Sequence, residues 1–461
     1  MTPTQQDHLQ SILTRRDALR IGGAGLLGLG MNHFLPGQEV TRQVAKAKSV
    51  IFLYQFGGPS HVDTFDLKLE APSGVRTQFN GIASSLPGVP VCEHLPEMAK
   101  VMHKVTLIRS VHHTMNNHNS AAYHALTGHA PPLDDIRLRD SIELFPAYGS
   151  VANRYLPQSA GLPSFVALPH VMSDGSVTPG QHASFLGRHH DPLLITEDPN
   201  DSQFRLPELS LPAGVSSERL QRRREMQSLV NSQIRSLEAQ PLAQGMNSYF
   251  ERALSMLNSP KVRDAFDLSR ETPEMRDRYG RSTYGQSCLL ARRLVESGVK
   301  FVNVYFSSNI GGQKTDSGGW DTHGFNNTRQ YPILKAWHLP LTDHTLPVLI
   351  NDLDDRGLLD ETLVLWMGEF GRTPRINDNL SRDHWPRCYT VLTAGGGMPR
   401  GQVYGASDKQ GAYPALNPVT PGDLSATVFE LLGIPADTEM RDALNRPLPI
   451  ADGRPISELI A

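Results

Sequence analysis

Six short, largely apolar runs constrain this chain more than any other feature. They are Ser49–Phe56, Val105–Val111, Ser164–Leu168, Lys300–Phe306, Thr362–Gly368 and Tyr389–Ala394. Runs of this length, rich in branched and aromatic residues, read as strands buried on both faces. Helical patterns lie between them: Leu95–Lys104, Asp277–Ser297, Pro332–Arg356 and Pro421–Leu432. Apolar strands alternating with helices predict an α/β fold around a mostly parallel sheet. A chain of 461 residues exceeds one small core. It calls for one large domain with insertions, or for two domains. Residues 170–241 are polar and proline-punctuated and end in a charged helix, Ser216–Leu237. They read as an insertion or cap outside the sheet.

The ionic balance narrows the partners. The chain carries 44 basic and 47 acidic residues, a net charge of −3. That gives no basic excess for nucleic acid. The local run Arg222–Arg224 reads as a solvated helix face. Three cysteines, Cys92, Cys288 and Cys388, are too few for a disulfide framework. The N-terminus is distinct. "TRRDALR", Thr14–Arg20, precedes the apolar "IGGAGLLGLGMNHFL" and looks like a twin-arginine export signal. The apolar run is too short and glycine-rich to span a bilayer well. An Ala-x-Ala site ends at Ala47, so residues 1–47 read as a signal peptide and 48–461 as a single exported domain. A retained membrane anchor is the alternative. The twin-arginine machinery, which carries folded proteins, is the expected export partner, with no stable span after cleavage.

Ligands of open α/β sheets bind beyond the carboxyl ends of the strands. Four loops that follow strands carry polar, chemistry-bearing residues. "GGPSHVDTFD" supplies His61 and Asp63, two apart in an irregular loop. Imidazole with carboxylate suits zinc, manganese or iron(II); a helix cap is the alternative for Asp63. "GGWDTHG" supplies Asp321 and His323, with Trp320 as a wall, or a capping Asp and a solvent-facing His. "MGEFGRTPRI" supplies Glu369 just past a buried strand, where an unpaired carboxylate is costly. A metal or Arg372 would compensate it, and the Arg372 fork also suits a tetrahedral oxyanion. Further along the same loop, "SRDHWPRC" supplies His384 beside the carboxylate of Asp383, or a histidine packed on Trp385. "NNHNSAAYHALTGHA", Asn116–Ala130, places Ser120 at a helix start among free N–H groups. It reads there as an ordinary N-cap or as a nucleophile activated by a nearby metal.

The blocks "RRDALRIGG", "IFLYQFGGPSHVDTFD", "CEHLPEMAK", "LIRSVHH", "HNSAAYHALTG", "GWDTHG", "MGEFGRTPRIN", "RDHWPRCY" and "GQVYGASD" span nearly the whole chain. Together they resemble the exported, sulfatase-like domain-of-unknown-function family 1501, placed in the alkaline phosphatase superfamily. The resemblance implies a doubly wound sandwich, helices on both faces of the sheet. It also implies hydrolysis or transfer of sulfate or phosphate esters, small-molecule or glycan, at a site with one or two metals such as zinc, manganese or calcium. Anchoring the sulfatase motif on Leu126-Thr127-Gly128 puts its nucleophile slot at His118, so the formylglycine precursor is absent. The spacing Asn119, Ser120, His124, Gly128 is similar to the nucleophile loop of cofactor-independent phosphoglycerate mutases. By that analogy Ser120 attacks, with His118 or His124 moving protons or binding metal. Arg372 would hold the tetrahedral group. His61, Asp63, Asp321, His323, Glu369 and His384 would bind metal. The superfamily's Asp-His-Gly reads Glu369-Phe370-Gly371 here, so one histidine ligand is missing and His384 takes the late position. A degenerate, non-catalytic binder of sulfated or phosphorylated glycans on the same fold is the alternative.

Overall fold

A computed structural model describes residues 44–158, 161–204, 259–306, 319–324 and 329–460. Residues 1–43 of the expected signal, Arg222–Arg224 and the helix expected over Ser216–Leu237 lie outside them. All six expected runs form strands: Val105–Val111 and Tyr389–Ala394 do so over their full length, and each of the other four falls short by one terminal residue. We name the sheet strands in chain order: β1 Ser49–Gln55, β2 Val105–Val111, β3 Phe165–Leu168, β4 Leu193–Leu194, β5 Phe301–Phe306, β6 Thr362–Met367, β7 Tyr389–Ala394 and β8 Gln402–Tyr404. Among the described residues they build one sheet in the spatial order β8-β2-β7-β6-β1-β5-β3-β4. Strand β7 runs antiparallel to both of its neighbours, β6 and β2. All other pairings in the sheet are parallel. Strand β4 lies in the stretch expected outside the sheet. A two-residue apolar pair is too short to register as a strand, and only its pairing with β3 makes it one.

Period-two alternation sends each strand into two cores. Ile51, Leu53, Val302, Val304, Val364 and Trp366 face one side. There they meet α1 Pro96–Val101, α4 Thr283–Ser297 and α5 Leu339–Asp355. Val50, Phe52, Phe301, Tyr305, Leu363 and Leu365 face the other. There they meet α2 His118–Thr127, α3 Tyr148–Tyr155 and α6 Pro421–Leu431. A sheet covered by helices on both faces is the doubly wound α/β arrangement.

Two expected helices differ in detail. The stretch expected as one helix over Asp277–Ser297 ends a first helix, Pro273–Tyr279, and restarts at α4. Gly280 takes a φ of +89°, and the Ser282 side chain then caps the new helix by accepting from Gly285 N at 3.0 Å. Ahead of α5, Leu334–His338 widens into a π-helical turn, which seats His338 on the Trp320 ring at 4.8 Å. All three cysteines are buried and free. No helix among the described residues is long and apolar enough to cross a membrane.

Candidate metal centre

The carboxyl edge of the sheet gathers side chains from three of the four loops. Asp321 and His323 follow β5 by way of a glycine-rich stretch, His118 opens α2 after β2, and Glu369 follows β6. His384 precedes β7, and the reversal of that strand puts its start at the same edge. Gly57, just after β1, has a φ of +102°, and a Cβ there would meet Asp321 N at 2.2 Å. Only glycine lets the backbone pass this close. Its N–H donates to Glu369 Oε1 at 2.8 Å.

One ligand atom each from His118, Asp321, His323 and His384 falls within a mutual span of 4.8 Å. Donors of a tetrahedral ion with bonds of about 2.0–2.2 Å lie roughly 3.3–3.6 Å apart, so the group is near a coordination shell. The three imidazoles share one orientation. His118 turns Nδ1 to Glu369 Oε1 at 2.8 Å and Nε2 to Asp321 Oδ2 at 3.3 Å. His384 turns Nδ1 to the Asn116 carbonyl at 2.9 Å and Nε2 to Asp321 Oδ1 at 2.9 Å. His323 turns Nδ1 toward Asp383 at 3.7 Å and Nε2 to Asp321 Oδ1 at 2.6 Å. His118 and His384 are held as metal-ligating histidines are, with the far ring nitrogen on a carboxylate or carbonyl.

Charge supports the same fit. Burial, set against the Asp321 contact, lowers His384 to about 3, with His118 and Arg372 adding to the fall. The neutral ring gives its Nδ1–H to Asn116 and aims the Nε2 lone pair at a carboxylate oxygen, an arrangement that calls for a cation. Burial opposes charge on His118, yet bonding and charge from Asp321 and then Glu369 outweigh it and raise it to about 10. Burial would raise Asp321, but Arg372 and His118 hold it well below the carboxylate range. Among the described residues, three buried atoms of this group lack a well-formed hydrogen bond: His118 Nε2, Asp321 Oδ2 and Glu369 Oε2. Three nitrogens and a carboxylate fit zinc or another borderline divalent ion.

Other residues singled out in the sequence sit elsewhere. Asp63 is a partner of Arg382, whose Nε donates to Oδ2 at 2.8 Å. Gln330 Nε2 and Tyr331 Oη donate to it at 2.7 and 3.1 Å, and Ser60 adds a further bond. Against its burial, Arg382 draws its pKa down. Asp63 is thus a saturated ion-pair partner and not part of the cluster. His61 bonds the Gly411 carbonyl at 2.8 Å and packs on Gly371. Ser120 is not brought to the cluster either. Two residues after His118 on a helix is about 200° around, the opposite side. Its hydroxyl accepts from Asp135 N at 2.8 Å and contacts the Leu133 and Asp135 carbonyls. His124 meets the His113 ring at 5.3 Å, and burial drives it to about 3. Arg372 is neither a partner of Glu369 nor open to an anion. It donates to the carbonyls of Gly57, Gly58, Trp320 and Arg382 and to Asp321 Oδ1. It therefore braces Asp321. Trp320 does not wall the site; its indole donates to Gln55 at 3.1 Å in the core.

Three contributions had no sequence signal. Phe370 lies 4.2 Å from the His384 ring and 5.2 Å from that of His118. Phe56 lies 5.2 Å from the His118 ring, so the imidazoles are walled by aromatics. Asp174, in the hairpin Ser173–Val177 after β3, feels the site's charges. Burial raises its pKa; His118 offsets this, and Asp321 and Glu369 add to it.

No curated protein matches the chain. Among solved structures, a sulfatase from Pseudoalteromonas sp. is similar at 12% identity and a TM-score of 0.39, over 92% of this chain and 72% of that one. A lipoteichoic acid synthase from Listeria monocytogenes is similar at 13% identity and 0.37, over 86% and 76%. A protein in the alkaline phosphatase superfamily from Vibrio parahaemolyticus is similar at 12% identity and 0.36, over 87% and 71%. Residues 47–460 match the model of the family described as protein of unknown function, DUF1501, and the chain belongs to that family.

Proposed function

We propose that the chain is a metal-dependent hydrolase of sulfate or phosphate esters, exported by the twin-arginine route. One observation carries the metal reading: three imidazoles turn Nε2 to Asp321, and two of them, His118 and His384, are held from behind by a hydrogen bond at Nδ1. Nitrogen-rich donors favour zinc and disfavour calcium, which takes oxygen ligands. A divalent ion there supplies Lewis-acid polarisation of an ester oxygen. The chain's own residues do the rest. Arg372 holds Asp321 in place and offsets its charge within the protein. Glu369 orients His118 through Oε1 and leaves Oε2 uncommitted, so that a water beside it has a proton acceptor. Ser120 is tied into the Leu133–Asp135 turn, and this reading does without a serine nucleophile.

The test is metal analysis of the purified protein with turnover of aryl phosphate and aryl sulfate. Bound metal near one equivalent and turnover lost in Glu369→Gln are expected. Protein that binds no metal and is inert to both esters sinks the proposal. The second reading, an exported non-catalytic binder, draws on the commitment of both Ser120 and Arg372 to the protein itself. It predicts full metal occupancy without turnover of either ester.

A further inference from the structure

A cleft of about 960 Å³ opens between residues 69–81 and the segment 376–380. Its walls are tied together. Ile376 N donates to Gly74 O at 2.8 Å, and Arg382 Nη2 donates to Val75 O at 2.9 Å. Phe79 packs on Tyr331 at 5.2 Å, and Tyr331 in turn bonds Asp63. The Asp63–Arg382 pair thus braces this cleft. The cleft also abuts the metal centre, because Asn377, on its wall, donates to His323 O at 3.1 Å and to Asp383 Oδ1 at 3.0 Å.

The lining indicates what it takes. Among the described residues, Arg76 is the one ionisable side chain of the lining, and it forms no ion pair or side-chain hydrogen bond. Ser73 and Gln78 beside it are likewise uncommitted among the described residues. A guanidinium with an amide and a hydroxyl in an open, polar cleft offers donors to sulfate or phosphate groups and to sugar hydroxyls. Pockets of 300–1,000 Å³ hold ligands of drug size or above. We propose that this cleft is a subsite for an anionic saccharide, and that Arg76 pairs with a sulfate or phosphate group away from the reacting one. The proposal rests on the hydrolase reading for its place in a substrate, but its binding is measured without turnover.

The probe is a heparin-derived tetrasaccharide, with its fully desulfated counterpart as control, titrated calorimetrically into the full protein with and without chelator. The expected result is binding of the sulfated form alone, unchanged within about threefold by chelation. Arg76→Ala is expected to weaken it at least about 10-fold, the loss of one charge-assisted contact, and Arg76→Glu to abolish it. Equal binding by Arg76→Ala, equal binding of the desulfated form, binding that chelation abolishes, or no binding to the wild type each overturns the proposal. Arg76 is exposed, so both variants are expected to fold, which circular dichroism checks. Failure of the hydrolase reading would show instead as absent aryl-ester turnover, whatever the tetrasaccharide does.

Discussion

His118 Nε2 and Asp321 Oδ2 face each other at 3.3 Å, both buried, and neither has another partner among the described residues. In the metal-free state a proton on His118 supplies the positive charge that the carboxylates require. A metal must displace that proton, so binding releases it and strengthens as pH rises. Asp321→Asn and His384→Ala should each lower metal affinity by at least about 100-fold, since the first removes the anionic charge of a ligand and the second removes a donor outright. Equilibrium dialysis against a zinc buffer reads this, and unchanged occupancy in both variants would refute the assignment.

Ser120→Ala separates a structural hydroxyl from a nucleophile. Its hydroxyl ties α2 to the Leu133–Asp135 turn. Losing it should cost about 1–3 kcal/mol of stability, because Asp135 N loses its acceptor. Ester turnover at a permissive temperature should stay within a few fold. A loss of several orders of magnitude with the fold intact would restore Ser120 as the nucleophile.

Arg382→Met leaves the Asp63 carboxylate buried without its cation. Breaking such a pair typically costs about 3–5 kcal/mol. Denaturant unfolding should show that loss, while metal content at low temperature stays near the wild-type value. If metal is lost before the fold loosens, Asp63 belongs to the centre after all.

Acid should destabilise the protein through histidines that burial keeps neutral. Burial lowers His113 to about 4, and His124 and His338 to about 3. The unfolded chain takes up these protons near pH 6.5. The stability they allow is therefore fully present above pH 6.5 and is lost as pH falls toward 4. The melting temperature should drop steeply from pH 6.5 to 4.5, and His124→Gln should flatten that slope. A melting temperature independent of pH in this window would contradict it.

The strands were legible because burial on both faces writes an unbroken apolar run. The direction of β7 was not, since a parallel and an antiparallel buried strand carry the same pattern. The edge that collects the site was also legible, from polar residues after strands. Within those loops composition alone could not separate Asp63 from Asp321. Both follow glycine-flanked turns, and only the packing gives Arg382 to one and three imidazoles to the other. Likewise Ser120 and His118 lie two residues apart, and the helix face decides which of them points to the centre.

The reversed strand has a consequence for how such a centre changes over time. Because β7 lies beside β6 and runs against it, residues 368–388 leave and rejoin the sheet at one edge. They carry Glu369, Arg372, Arg382, Asp383 and His384 together. In a parallel crossover the chain would run back along a helix before returning, dividing these groups between two loops. Here they form one heritable module with fixed feet. Lengthening it costs little, about 0.6 kcal/mol of closure entropy per doubling. A single exchange of this segment would re-equip the centre while every strand beneath it stays in register.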